Sequence, residues 1–313
     1  DFASFEAEIV TPVTIDYGDG VQVYQCPPNS QGITMLMALN ILKGFDLAPM
    51  DPEGADAIHL QVEAIKLAFA DRYQYIGDPA RVDIPVDQLL SDEHADGMRE
   101  LIAMDSVLEW QEDVSQATSP PHHTTTFHIV DQWGNAAAVT TSLGAQFLVV
   151  GDTGIHINER MGFLSLEPGN VNELTPGFKV RHTSCPYVAF RNGQIFMLGG
   201  NTGVDTQPQG QVQQFLNVIE WGMSAQEAID QPRFVSTAFP STVYPYNVEN
   251  TLQMEAGFRG SVVTDLRRRG HDVDLGDGRF GSANMIVLRD DGLDLGVESR
   301  SDAASGEIVP AGS

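Results

Sequence analysis

The sequence predicts an α+β protein. Apolar residues recur at helical spacing between residues 33 and 103, and the chain turns β-rich from residue 124 before helices and strands return. Blocks of helix, then strand, then helix favour segregated layers over the strict βαβ alternation of a doubly wound parallel sheet.

Residues 14–26 alternate between apolar and polar, and Gly18-Asp19-Gly20 supplies a turn inside that run, so a hairpin is expected. Pro27 to Gly32 (PPNSQG) punctuates the chain. A helix follows over Ile33–Lys43, with Met35, Leu36, Ala38, Leu39 and Leu42 on overlapping faces. A longer helix spans Ala55–Tyr75, where Ile58, Val62, Ile65, Phe69 and Arg72 keep helical spacing and Gly77-Asp78-Pro79 ends it. A short helix is expected over Glu93–Ala103. Residues 106–123 hold Gln, Ser, Pro-Pro and His-His and read as an exposed, flexible linker. Thr124–Val130 is then a strand, Asp131–Gly134 a turn and Asn135–Leu143 the returning strand. Tyr187–Phe190 and Gln194–Leu198 form a second hairpin around Arg191-Asn192-Gly193. Helices over Gln209–Trp221, Ala225–Asp230 and Gly260–Arg269, with strands over Leu252–Ala256 and Asn284–Leu288, complete the expected elements.

The charge balance narrows the function classes. The 313 residues carry 43 acids against 17 bases, a formal net charge of −26. Only Lys43, Lys66 and Lys179 are lysines; the other bases are arginines. Such a field repels phosphate, so neither nucleic acid nor an anionic membrane is an expected partner. No apolar run approaches the ~20 residues that span a bilayer. The acids are spread along the whole chain, as in a halophilic surface kept hydrated at high salt, where carboxylate repulsion is screened. The melting temperature is therefore expected to fall as salt is lowered from molar to millimolar, and a salt-indifferent melt would remove the halophilic reading. Cys26 and Cys185 show no metal-ligand spacing and make no disulfide framework; buried free thiols are expected.

Chemistry concentrates at the junction of linker and strand. His122-His123 precedes Thr124-Thr125-Thr126. A threonine run opening a strand is ordinary β composition. It can also hold a nucleophile, because cutting the bond before a threonine creates an α-amine that serves as base to the hydroxyl of the same residue. Such an amine titrates at roughly 7.7–8.0, so a useful fraction is neutral near pH 7.

The stretch TTTFHIVDQWGNAAAVTTS resembles the start of the small subunit in the gamma-glutamyltranspeptidase family. The likeness continues in family order. PPNSQGITMLMALNIL is similar to a large-subunit loop and helix, and HLQVEAIKLAFADRYQYIGDP to the long helix before the linker. LSLEPGNVNELTPGFKVRHTSCPYVAFRNGQ is similar to the lid and substrate-loop region, and GGNTGVDTQPQGQVQ with AIDQPRF to the oxyanion region and the helix after it. The resemblance implies a four-layer αββα sandwich of the N-terminal nucleophile hydrolase type, made as a zymogen that cleaves itself. It implies two segments of one structural domain, 1–123 and 124–313. It also implies a missing front part of the large subunit, so that one outer layer is incomplete and an apolar patch is left exposed.

Family roles carry over position by position. An aspartate stands seven residues after the family's nucleophile; Asp131 therefore implies Thr124, with His123–Thr124 as the scissile bond. Ser142 takes the place of a second hydroxyl that bonds the nucleophile, and Asn135 that of a turn asparagine at the substrate site. Gly203 and Val204 align with the Gly-Gly pair whose N–H groups form the oxyanion hole; valine does not readily take positive φ, so either the backbone is ordinary here or the hole is altered. Phe163 stands where an acidic residue grips the glutamyl amino group, and Arg160 replaces a polar residue and suits an anion. His182 and Thr183 replace paired serines as pocket liners.

These departures resemble a side branch that includes gamma-glutamyltranspeptidase-like proteins and an oxamate amidohydrolase. Amide hydrolysis or acyl transfer through an acyl-threonine is the implied reaction, on a γ-glutamyl or related small acyl amide, with water or an acceptor and no cofactor. The competing reading is a catalytically impaired fragment, or one half of a split enzyme that needs a partner chain. A metal hydrolase would have to use His122 and His123, which lack ligand partners at useful spacing. The expected compartment is a high-salt cytoplasm, with export left open because the family's own start lies upstream.

Overall fold

The structure is a computed structural model that describes residues 6–109, 124–143, 148–276, 280–301 and 304–309. Its centre is a six-stranded antiparallel sheet of order β1-β2-β5-β6-β10-β11. These strands are Val13–Gly18, Val21–Gln25, Tyr187–Arg191, Gln194–Asn201, Ala283–Arg289 and Gly292–Val297. A hairpin of β3 (Thr124–Val130) and β4 (Ala136–Ser142) forms a second sheet. A third joins β7 (Phe234–Ser236), β8 (Thr251–Glu255) and β9 (Asp272–Gly276), with β8 and β9 parallel.

Helix α1 (Gly32–Leu42) is buried at every residue, so it lies inside the molecule and has no wet face. Helix α2 (Ala55–Tyr75) has the bounds expected from periodicity and is buried along most of its circumference. Both pack with α5 (Thr206–Ile219) in one core with the six-stranded sheet. The shorter helices are α3 (Val86–Leu89), α4 (Asp92–Arg99), α6 (Ala225–Asp230) and α7 (Gly260–Arg268). Ser91 caps α4 by accepting from the His94 N–H. That helix ends at Arg99 instead of Ala103, because the Ala103 carbonyl is turned toward His59.

Two consecutive glycines settle the layering. Side chains in a strand alternate between faces. A Cβ on Gly199 would strike the Tyr187 ring on the helical side, 2.5 Å away. A Cβ on Gly200 would strike Thr126 Oγ1 on the other side, 2.4 Å away. The bare backbone at Gly200 thus lets the β3–β4 hairpin lie flat on the sheet, opposite the helices. Asn284 Nδ2 ties it down by donating to the Thr126 carbonyl at 3.0 Å. The described layers are helices, six-stranded sheet and hairpin. The outward side chains of β3, Phe127 and Ile129, are 44% and 58% exposed, and Trp133 in the turn is 78% exposed. Phe127 and Ile129 therefore make an exposed apolar face on this side of the hairpin.

The linker is only partly described: residues 110–123, including His122 and His123, lie outside the described residues. Its first residues are not free. The Leu108 N–H donates to Glu63 Oε2 at 2.8 Å, the Leu108 carbonyl accepts from Lys66 Nζ at 2.5 Å, and the Val107 N–H donates to the Arg269 carbonyl at 3.0 Å. Sequence composition could not foresee this, because the Glu63–Lys66 pair is buried on a helix read only for its apolar stripe.

Cys185 is buried and Cys26 partly buried, and both are free thiols. No helix among the described residues is long and apolar enough to cross a membrane.

Candidate active site

The hairpin register places Thr124 opposite Ser142. Thr124 Oγ1 donates to Ser142 Oγ at 3.0 Å. Ser142 Oγ in turn accepts from Arg160 Nη2. Arg160 opens a single 3-10 turn, Arg160–Phe163, and is 7% exposed. Its guanidinium carbon lies 4.9 Å from the centre of the Phe163 ring, so the residue standing where an acid was expected forms an aromatic floor for a cation. Arg160 Nη1 is buried and has no hydrogen-bond partner among the described residues. A buried, unpaired guanidinium nitrogen is costly unless a ligand satisfies it.

His182 lies beside Arg160. Burial first, and then the Arg160 charge, push its imidazole down to about 4, so it is neutral at pH 7. Its backbone zips to the Pro27–Gly32 loop: its N–H donates to Asn29 O at 3.0 Å, and its carbonyl accepts from the Gln31 N–H at 3.0 Å. Thr183 is buried, and its Oγ1 has no partner among the described residues.

Gly203 and Val204 join β6 to α5. Gly203 has φ 104° and Val204 φ 52°. Valine therefore does take the left-handed conformation, the outcome that its side chain argued against. The crowding of a branched Cβ there costs roughly 1–2 kcal/mol, so the surroundings must impose it. Neither N–H has an acceptor among the described residues. Both precede the N-terminus of α5, where unpaired N–H groups and the helix dipole favour negative charge.

The structure thus links Thr124, Ser142, Arg160, His182, Thr183, Gly203 and Val204 into one region, although they are spread over eighty positions of the chain. Asn135 is not brought there. It sits in the turn at the far end of the hairpin, level with Asp131 and so seven residues from Thr124, or about 23 Å at ~3.3 Å per residue. Its side-chain amide donates to Asp131 Oδ2 at 2.7 Å and closes that turn. Asp131, which located Thr124 by spacing, is likewise a turn residue. The cleavage-site partner His123 lies outside the described residues.

A buried network behind the site escaped the sequence reading. Arg72, fully buried, donates to Gln31 Oε1 at 2.8 Å, Thr242 Oγ1 at 2.8 Å, the Pro240 carbonyl at 2.7 Å, and Asp205. Arg181 is buried beside it and donates to the Arg72 carbonyl at 3.2 Å. Burial first, and then the Arg72 charge, push the Arg181 guanidinium down to about 9. The available signal was an arginine on the apolar stripe of a long helix, a position that burial forbids unless partners wait inside.

Among the described residues, His59, Glu63 and His271 could hold a metal, with ligand atoms within 4.8 Å of one another. Their bonding argues against one. The Lys66 ammonium holds both Glu63 oxygens at 2.9 and 3.0 Å and supplies the cation itself. His59 Nε2 lies 2.8 Å from the Ala103 carbonyl, which can only accept, so Nε2 carries the proton. Its Nδ1 is then the acceptor for His271 Nε2, 2.8 Å away.

Buried histidines make stability depend on pH. His128 is pushed down to about 4 by burial, and His271 to about 3 by burial and then by neighbouring positive charge. A histidine depressed in the fold binds its proton more tightly when unfolded, near 6.5. Stability is then complete above pH 6.5 and is lost as pH falls toward 4, by about 1.4 kcal/mol per pH unit for each such histidine. Urea midpoints in high salt should drop between pH 6.5 and 5, above the range where most carboxylates protonate; a flat or rising midpoint contradicts this.

A family model described as gamma-glutamyltranspeptidase matches residues 1–308. The chain is 33% identical over 312 residues to the glutathione hydrolase-like YwrD proenzyme of Bacillus subtilis (strain 168), covering 97% of this chain and 57% of that relative. It is 32% identical over 314 residues to the oxamate amidohydrolase proenzyme of Klebsiella pneumoniae, covering 97% and 57%. Among solved structures, cephalosporin acylase from Bacillus halodurans superposes with a TM-score of 0.84 at 33% identity, covering 98% of this chain and 55% of that one. The chain spans little more than half the length of the relatives it matches.

Proposed function

This chain belongs to the gamma-glutamyltranspeptidase family, and from that premise we propose that the whole protein is a self-cleaving N-terminal threonine amidohydrolase or acyltransferase, acting on a small acyl amide whose acyl group carries a carboxylate. The observation that carries the proposal is the bonded series Thr124 Oγ1, Ser142 Oγ and Arg160 Nη2, with Arg160 Nη1 buried and unpaired beside it.

In maturation, Thr124 Oγ attacks the carbonyl carbon of His123. The C–N bond breaks, an ester forms at Thr124, and water hydrolyses it to a His123 carboxylate and a free Thr124 amine. In turnover that amine takes the Oγ proton as Oγ attacks the substrate carbonyl. The developing oxyanion is met by the Gly203 and Val204 N–H groups. The leaving amine takes the proton back, and water or an acceptor amine releases the acyl group from Thr124. Ser142 orients the nucleophile. Arg160 Nη1 pairs with the substrate carboxylate, while Phe163, His182 and Thr183 shape the pocket. Arg160 repels an ammonium, and neutral His182 offers one no charge, so an unmodified γ-glutamyl group fits less well than an acyl group ending in a carboxylate alone. An oxamate-like or dicarboxylic monoamide substrate agrees with that chemistry, and one relative is an oxamate amidohydrolase proenzyme.

We read the helix, sheet and hairpin layers as three of the four layers of an αββα sandwich. The exposed Phe127–Ile129 face marks where the outer layer is supplied, by further chain or by a partner. Residues 1–123 and 124–313 are then the two segments of one matured domain.

The test is intact mass of the full-length protein after expression and incubation in high salt. Two pieces are expected, the second beginning at Thr124. A folded protein that stays whole overturns the proposal and leaves the impaired-fragment reading.

A further inference from the structure

The left-handed valine beside the proposed oxyanion site needs a cause, and the structure supplies one. Val204 has φ 52° and follows Gly203 at φ 104°. The Val204 carbonyl accepts from Gln31 Nε2 at 2.8 Å. The same amide nitrogen lies 3.3 Å from the Thr183 carbonyl, so it bridges the oxyanion loop and the pocket wall. Gln31 has no freedom to turn away. It is fully buried, its Oε1 accepts from Arg72 Nη1 at 2.8 Å, and its own N–H donates to the His182 carbonyl at 3.0 Å. Arg72 also holds Asp205, the residue after Val204. Asp205 Oδ2 accepts from the Thr242 N–H at 2.7 Å, which fixes the loop from its other side.

We propose that Gln31, set by Arg72, is a positioning residue for this reaction: it tethers the Val204 carbonyl and so holds the Gly203–Val204 N–H groups in the geometry that meets the oxyanion. The proposal rests on the reaction reading above. In a glycine at this position positive φ is free, and no tether is needed. With valine the loop relaxes toward negative φ unless something outside it holds the carbonyl. The arrangement therefore couples two positions 173 residues apart: an amide at 31 is needed because the side chain at 204 is branched.

The coupling gives a test that a merely structural role does not pass. Gln31→Met keeps the volume and removes the donor. In the full-length protein, with glutaryl p-nitroanilide and oxamate as probes, Gln31→Met is expected to lower kcat by 10- to 100-fold with KM within about twofold, because an oxyanion donor acts mainly in the transition state. Val204→Gly is expected to remove most of the effect of Gln31→Met, so that kcat of the double variant lies within about threefold of kcat of Val204→Gly alone. An unchanged kcat in Gln31→Met, or a loss just as large in the Val204→Gly background, overturns the proposal. If Gln31→Met does not fold, Gln31→Asn, whose amide is one methylene too short to reach, is read the same way. A turnover-independent arm separates this idea from the reaction reading. In a crystal structure of the Gln31→Met or Gln31→Asn protein, Val204 should leave the left-handed region. Retention of φ near 52° without the tether overturns the inference even if the wild type proves active; an inactive wild type overturns the reaction reading alone.

Discussion

Thr124→Ala is expected to leave the chain in one piece indefinitely and to abolish turnover. The hydroxyl that performs both reactions is gone, and so is the cleavage that creates its base. The expected loss is on the order of 10⁶-fold, the scale seen when other hydrolases lose their nucleophile. Little else should change. Thr124 contributes one described side-chain hydrogen bond, to Ser142 Oγ at 3.0 Å, at the start of a strand. Losing a bond of that kind costs about 1 kcal/mol, so the variant should melt close to the wild type. Thr124→Ser retains a hydroxyl and an α-amine and should still be cleaved at the same bond. Intact mass and amino-terminal sequencing read all three proteins. A second piece from Thr124→Ala, or wild-type cleavage at another bond, overturns the assignment of Thr124. Cleavage of the wild type at Thr125 or Thr126 would instead place the nucleophile within the same run of hydroxyls.

Arg160→Met should separate the pocket from the nucleophile. Charge-assisted hydrogen bonds contribute about 1.5–3 kcal/mol each, so losing a carboxylate contact costs roughly 10- to 100-fold for one bond and more for a bidentate pair. The loss should appear in kcat/KM for oxamate and glutaryl p-nitroanilide and be nearly absent for an uncharged acyl anilide. Arg160→Lys should not rescue it, because an ammonium cannot reproduce the planar fork that reaches Ser142 with one nitrogen and leaves the other for a ligand. Stability should move the other way. Removing a cation that burial disfavours, with one nitrogen unpaired, leaves the melting temperature unchanged or raised. Equal losses on charged and uncharged acyl groups would show that Arg160 positions Ser142 and takes no part in recognition. The substitution also removes the Ser142 contact, so self-cleavage measured in parallel gives the size of that indirect effect.

Most elements could be read along the chain because their signals are local. The Ala55–Tyr75 helix is bracketed by a helical apolar stripe and by Gly77-Asp78-Pro79. The Tyr187–Asn201 hairpin is bracketed by Asn192-Gly193, both with positive φ. The short elements were missed for the complementary reason. Strand β7 has three residues and no period, while β9 and β11 alternate over only five and six residues and are rich in acids and glycine, residues depleted from strands. Their pairing partners, not their composition, make them strands. Apolar spacing gives α1 and α2 their helical period but not how much of their circumference is covered, and both lie inside the fold.

The likenesses to the family were sufficient to nominate Thr124 and its companion Ser142, which the hairpin register then places opposite each other. They were also sufficient to flag Arg160 and Val204 as departures from the family pattern. They could not tell a solvated Arg160 from one stacked on Phe163 with an unsatisfied nitrogen, nor an ordinary Val204 from one held at positive φ. Burial and backbone strain are set by whatever packs against a residue. Here the packing groups, Gln31, Arg72 and Thr242, come from distant parts of the chain, and only the folded contacts bring them within hydrogen-bonding range.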